Sequence, residues 1–117
     1  MGRLTTHVLD LSSGTPGRGI RVELTRLEVA GRSVVTSALT NADGRCDQPL
    51  LEGDGFRPGS YELAFSVGEY FAGRGVALPE PPFLDVVVVR FGISSVAQHY
   101  HVPLLVSPFG YSTYRGS

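Results

Sequence analysis

The sequence predicts an all-β fold, an antiparallel β-sandwich with one short helix. Three observations predict it. Short apolar segments recur at regular spacing, about seven or eight of them. The 15 Gly and 8 Pro punctuate those segments. Several segments alternate apolar with polar residues, the period that puts one face of a strand on a core.

Leu4 to Asp10 reads as the first strand, and Ser12 to Gly19, with Pro16, as a turn-rich loop. Ile20 to Leu27 alternates: Ile20, Val22 and Leu24 share one face, Arg21, Glu23 and Thr25 the other. Ser33 to Thr40 is a third strand. Asn41-Ala42-Asp43-Gly44 is a turn, because Asp-Gly favours the backbone angles that reverse a chain, and a short strand follows at Arg45. Ser60 to Ser66 alternates and groups Tyr61, Leu63 and Phe65. Val67 to Arg74 is assigned one or two helical turns. Leu84 to Phe91 is Val-rich, the composition of a strand buried on both faces. His99 to Val106 and Tyr111 to Tyr114 close the chain as two strands joined by Ser107-Pro108-Phe109-Gly110.

Size and composition narrow the function classes. A chain of 117 residues is read as one domain, residues 1–117, large enough for one real core. With 10 basic and 11 acidic residues, net charge −1, there is no field for nucleic acid or an anionic membrane surface. The longest apolar run, Val86 to Val89, is strand-sized, and Met1 to Thr6 has no export pattern, so a cytoplasmic protein is expected. Cys46 is the single cysteine; it is expected to be a small packed residue, and no disulfide is available. Three histidines and one cysteine give no metal-ligand spacing, so no metal is expected.

Strand parity singles out unusual side chains. In His99 to Val106, Tyr100, Val102, Leu104 and Val106 form a core face. His99, His101, Pro103 and Leu105 share the other, neither solvent-like nor purely apolar, which suggests a subunit interface with polar chemistry inside it. Thr5, His7 and Leu9 share one face of the first strand. His7 reads either as an exposed edge residue or as a second imidazole entering a shared cleft, where histidine suits proton transfer near neutral pH. Arg45 reads either as a solvated turn residue or as a planar donor fork for an anionic or urea-like ligand. The residues alone give a β-sandwich, oligomeric by its odd face, with a candidate His/Arg site.

Three segments carry a resemblance. The stretch from His99 to Ser117, ending Tyr114-Arg115-Gly116-Ser117, resembles the 5-hydroxyisourate hydrolases. So do Leu4-Thr5-Thr6-His7-Val8-Leu9-Asp10, followed by Gly14 and Pro16, and Thr40-Asn41-Ala42-Asp43-Gly44-Arg45. The resemblance covers essentially the whole chain, and the Tyr-Arg-Gly-Ser end separates these enzymes from transthyretin, the hormone carrier of the same fold. It implies a prealbumin-like two-sheet sandwich, a homotetramer built as a dimer of dimers, and active sites in the channel between dimers. It implies hydrolysis of 5-hydroxyisourate to 2-oxo-4-hydroxy-4-carboxy-5-ureidoimidazoline in urate catabolism, without a cofactor. The family's histidines fall on His7 and His101, its arginine on Arg45 and its terminal tyrosine on Tyr114. His7 and His101 would activate a water, Arg45 would hold the developing charge, and Tyr114, Ser112 and Ser117 would line the substrate site. His99 would stand behind the site or face solvent. A carrier of a small aromatic ligand and a purely structural sandwich are the competing readings, since one fold hosts unrelated functions.

Overall fold

Residues 2–117 are described by the computed structural model; Met1, part of the expected domain span, lies outside the described residues. In chain order the elements are β1 (Leu4–Asp10), β2 (Thr15–Pro16), β3 (Arg21–Glu28), β4 (Gly31–Leu39), β5 (Gly59–Ser66), α1 (Val67–Gly73), β6 (Val86–Ile93), β7 (Tyr100–Ser107) and β8 (Gly110–Thr113). They form two four-stranded sheets, ordered β2-β1-β7-β8 and β4-β3-β5-β6.

The core lies between the sheets and is built by the alternation read from the sequence. Leu4 and Val8 of β1 and Tyr100, Val102, Leu104 and Val106 of β7 face Val22 and Leu24 of β3 and Tyr61, Leu63 and Phe65 of β5, all buried. Each fully buried large apolar side chain contributes roughly 1.5–3 kcal/mol over its exposed state. Helix α1 follows β5 because Val67, Tyr70 and Phe71 sit at helical spacing and are all buried. The Tyr70 hydroxyl donates to Asp10 Oδ2 at 2.8 Å, which ties the helix to the end of β1.

Three features depart from the sequence-based expectation. The loop around Pro16 contains a two-residue strand, Thr15–Pro16, paired with Leu9 and Asp10. The pairing of β1 with β7 is parallel, Thr5 opposite His101 and His7 opposite Pro103, while every other strand pair is antiparallel. The whole second sheet intervenes between β1 and β7 in the chain, so no hairpin imposes the antiparallel direction. Finally, the Val-rich strand is not buried on both faces. Val87 and Val89 are 2% and 8% exposed, but Val86 and Val88 are 51% and 46% exposed. β6 is the edge strand of its sheet, and its outer side is only partly covered by the described residues.

Candidate active site

The outer face of the β2-β1-β7-β8 sheet carries the side chains that parity singled out. His7 projects from β1 and His101 from β7, both half-buried. Parallel register sets them diagonally, and the rings stack with centroids 4.9 Å apart and planes 22° apart. His7 Nδ1 lies 2.7 Å from His101 Nε2, and His101 Nδ1 lies 2.7 Å from Thr5 Oγ1. Both nitrogens of His101 are therefore engaged.

Arg45 reaches this group through its turn. Asn41 Oδ1 accepts from the backbone N–H groups of Asp43 at 2.9 Å and Arg45 at 3.1 Å, while Asn41 Nδ2 donates to Asp47 at 2.9 Å. Asn suits this position because its side chain can mimic a backbone turn. Gly44 has φ +74°, and a Cβ there would meet the Val8 carbonyl oxygen at 2.5 Å. Only glycine lets the turn dock on β1, where the Val8 N–H donates to the Gly44 carbonyl and Arg45 bridges to His7. Among the described residues, Arg45 has no ion pair and no side-chain hydrogen bond.

The C-terminal segment closes the other side. Gly116 bridges to His101, donating its N–H to the His101 carbonyl at 2.7 Å. A Cβ on Gly116 would stand 2.7 Å from His101 Cδ2, so the bare backbone is what lets the imidazole lie there. Arg115 secures the segment. Its guanidinium donates to the His99 carbonyl at 2.9 Å and Gln98 Oε1 at 3.1 Å, and lies 4.0 Å from the Tyr100 ring centroid.

These elements line an open cavity of about 330 Å³ whose wall includes Thr5, Arg45, Cys46, Gln48, His101 and Ser117. Arg3 and the exposed His99 complete it, and His7 adjoins it through its contact with His101. Burial, and then the Arg45 charge, push the His7 pKa below its ordinary value. Burial, the neighbouring His7 and Arg45 do the same to His101. Both imidazoles are thus held neutral at neutral pH, the form that accepts a proton. Cys46 is half-buried in the wall; burial and the nearby Asp47 raise its thiol pKa, so it stays protonated and unreactive.

His7, Arg45, His101 and Ser117 come together within one chain; Tyr114 and Ser112 do not join them. Tyr114, 57% exposed, borders a different depression beside Arg115, Val89 and Phe91. Ser112 is exposed and pairs with Leu105, farther along the outer face. Thr5, Gln48 and Gly116 were not anticipated as site residues. Thr5 shares the strand parity of His7, and that signal becomes readable only once the parallel register is known. Among the described residues, no group of three or more His, Cys, Asp or Glu is placed to hold a metal ion.

Comparison with known proteins gives a consistent result. A family model described as the HIUase/Transthyretin family matches residues 4–116. The chain is 62% identical to a 5-hydroxyisourate hydrolase of Pseudomonas aeruginosa over 100% of this chain and 93% of that protein. Among solved structures it resembles (S)-allantoin synthase (TM-score 0.95, 48% identity), covering 99% of this chain but 44% of that one. It also resembles Klebsiella pneumoniae 5-hydroxyisourate hydrolase (TM-score 0.82, 34% identity, 100% of both chains). Sea bream transthyretin in complex with thyroxine shares the fold at TM-score 0.87 and 27% identity, over 97% of this chain and 94% of that one.

Proposed function

The chain belongs to the HIUase/Transthyretin family, and we propose that it hydrolyses 5-hydroxyisourate to 2-oxo-4-hydroxy-4-carboxy-5-ureidoimidazoline at the His7–His101–Arg45 cluster. The full-length relatives that carry that activity in their names support the reaction. The observation that carries the site assignment is the pair of imidazoles 2.7 Å apart beside a guanidinium that has no counterion among the described residues.

The chemistry follows from these groups. A water held at the histidine pair loses a proton to an imidazole as its oxygen attacks a carbonyl carbon of the six-membered ring. Negative charge gathers on the carbonyl oxygen, where the Arg45 guanidinium offers fixed positive charge and paired donors. The ring C–N bond breaks, the leaving nitrogen takes the proton back, and the carboxylic acid so formed ionises to a carboxylate, releasing its proton to solvent. One water is consumed, and the balance calls for no metal or covalent intermediate.

The site is completed by assembly. The outer face that holds His7 and His101 also carries Leu105 and Ser112, while Leu11, just after β1, and Phe109, in the β7–β8 turn, are 50% and 63% exposed. Exposed apolar side chains beside a polar cleft support reading this face as an interface. We place a second dimer against this face, forming a homotetramer in which Tyr114 and Ser112 of one subunit line the channel with the histidines of another. Ser117 then belongs to the polar wall already formed within each chain. A single hydrolase domain over residues 1–117 fits the matched span. A cytoplasmic location fits a fold held without disulfides.

The test is an assay in which urate oxidase generates 5-hydroxyisourate and its absorbance is followed with and without this protein. Faster loss of the intermediate, with formation of the ureidoimidazoline, is the expected result. Unchanged decay with saturable binding of the intermediate would replace the enzyme by a carrier.

A further inference from the structure

The two histidines can form a base only in one of the two tautomer arrangements their hydrogen bonds allow. A neutral imidazole carries one N–H and one lone pair. His101 is bonded at both nitrogens, through Nδ1 to Thr5 Oγ1 and through Nε2 to His7 Nδ1, each at 2.7 Å. If the Thr5 hydroxyl donated, His101 would carry its proton on Nε2 and give it to His7 Nδ1. His7 Nε2 would then be protonated, and neither ring would have a lone pair to offer. If Thr5 accepts, the chain reverses: His101 Nδ1–H donates to Thr5, His7 Nδ1–H donates to His101 Nε2, and His7 Nε2 keeps a lone pair. Among the described residues, no group is hydrogen-bonded to that nitrogen.

We propose that Thr5 is a positioning residue: its hydroxyl, 2.7 Å from His101 Nδ1 in the parallel β1–β7 register, accepts the His101 proton and thereby makes His7 Nε2 the base. The inference rests on the hydrolase reading and assigns within it what selects the competent tautomer. Thr5 is suited to accept because it also lines the cavity, where its own hydroxyl proton can point to water or substrate. In the reaction, the water proton moves to His7 Nε2. The charge that appears on His7 is shared through Nδ1–H with His101, and the Thr5 contact keeps the second ring in register. The arrangement parallels the general role of an oriented partner behind a working histidine, which sets both its tautomer and its ring angle.

The experiment compares wild type, Thr5→Val and Thr5→Ser by steady-state kinetics and by 15N NMR of the histidine rings without substrate. In wild type, His101 should show a protonated Nδ1 and an unprotonated Nε2. Thr5→Val, nearly isosteric, should lose that preference and reduce kcat about ten- to hundredfold with little change in KM, as partners behind metal-bound histidines do when removed. Thr5→Ser should restore both. A wild-type His101 protonated on Nε2, a Thr5→Val enzyme with undiminished kcat, or a failure of Thr5→Ser to rescue would each overturn the assignment. Failure of the hydrolase reading looks different: wild type itself would not accelerate hydrolysis, while the ring tautomers would still report whether Thr5 accepts or donates.

Discussion

At the scale of single residues, the proposed hydrolysis depends on keeping two adjacent imidazoles neutral. Burial and Arg45 lower both pKa values from the ordinary value of about 6.5. In the proposed mechanism the neutral form is the working form, so kcat/KM should hold level as pH falls through about 6.5 and decline only below it. A profile with its acidic limb above pH 7 would contradict the downward shifts. The same shifts act on stability. Below about pH 6.5 the unfolded chain binds protons at these positions that the native state resists, so the unfolded state holds more protons and stability falls with falling pH until the lowered native values are passed. Urea midpoints measured from pH 8 to 5 for wild type and His101→Asn should show a shallower decline in the variant. Gly116 makes the complementary steric contribution. In Gly116→Ala the added methyl would stand 2.7 Å from His101 Cδ2 and turn the ring away from His7. A displacement near 1 Å can cost on the order of 10²-fold in rate; a variant with normal kcat would show that the C-terminal segment does not position the ring. Parity made His101 stand out on a face neither solvent-like nor apolar, but it left His7 open between an exposed edge residue and a cleft residue, and the family resemblance is what joined the two. Thr5 and Gly116 were not legible in the sequence, because a threonine in a strand and a glycine near a terminus are ordinary there, and only their register against His101 gives them a role.

At the scale of elements, the site strand β1 is held by contacts outside the site. The Asp10 carboxylate at the end of β1 is 1% exposed and accepts from the Ser12 hydroxyl at 2.6 Å, the Ser12 N–H at 2.9 Å and Tyr70 at 2.8 Å. Burial raises its pKa, but these bonds outweigh burial and leave the carboxyl below its ordinary value. The same burial and the Asp10 charge push the Tyr70 hydroxyl up to about 12. Tyr70→Phe removes one donor to a charged group and should cost about 1.5–3 kcal/mol. Thermal or urea unfolding would read that loss, with kcat of the folded fraction retained; an unchanged midpoint would mean the helix does not anchor β1. Strand positions were legible from alternation within a few residues, since the period of the apolar residues is a local property. Strand partners were not. β1 and β7 pair across almost the whole chain, and no local signal records whether they run parallel. β6 shows the same limit from another side. A run of valines reports that a strand can be buried on both faces, not that something covers its outer face, and Val86 and Val88 remain exposed.

At the scale of the whole molecule, in the proposed function one chain supplies the chemistry and a homotetramer supplies the enclosure. The cavity holds His101, Arg45, Thr5 and Ser117, whereas Tyr114 borders a separate depression and Ser112 lies farther along the sheet. Leu105→Glu, on the outer face, should split the proposed tetramer into dimers and depress kcat/KM while leaving the β-sheet spectrum unchanged; sizing together with the coupled assay reads both. A dimeric variant with full activity would confine the working site to a single dimer. The most direct measurement of the central claim, that the two imidazoles work as one unit, is the single-turnover rate of 5-hydroxyisourate loss in wild type, His7→Asn, His101→Asn and the double variant. Each single substitution should slow the reaction about 10²–10⁴-fold, and the double variant should be no slower than the worse single one, as expected of groups acting together. Losses that multiply, or a single variant that keeps the wild-type rate, would show that the paired rings are not one catalytic device.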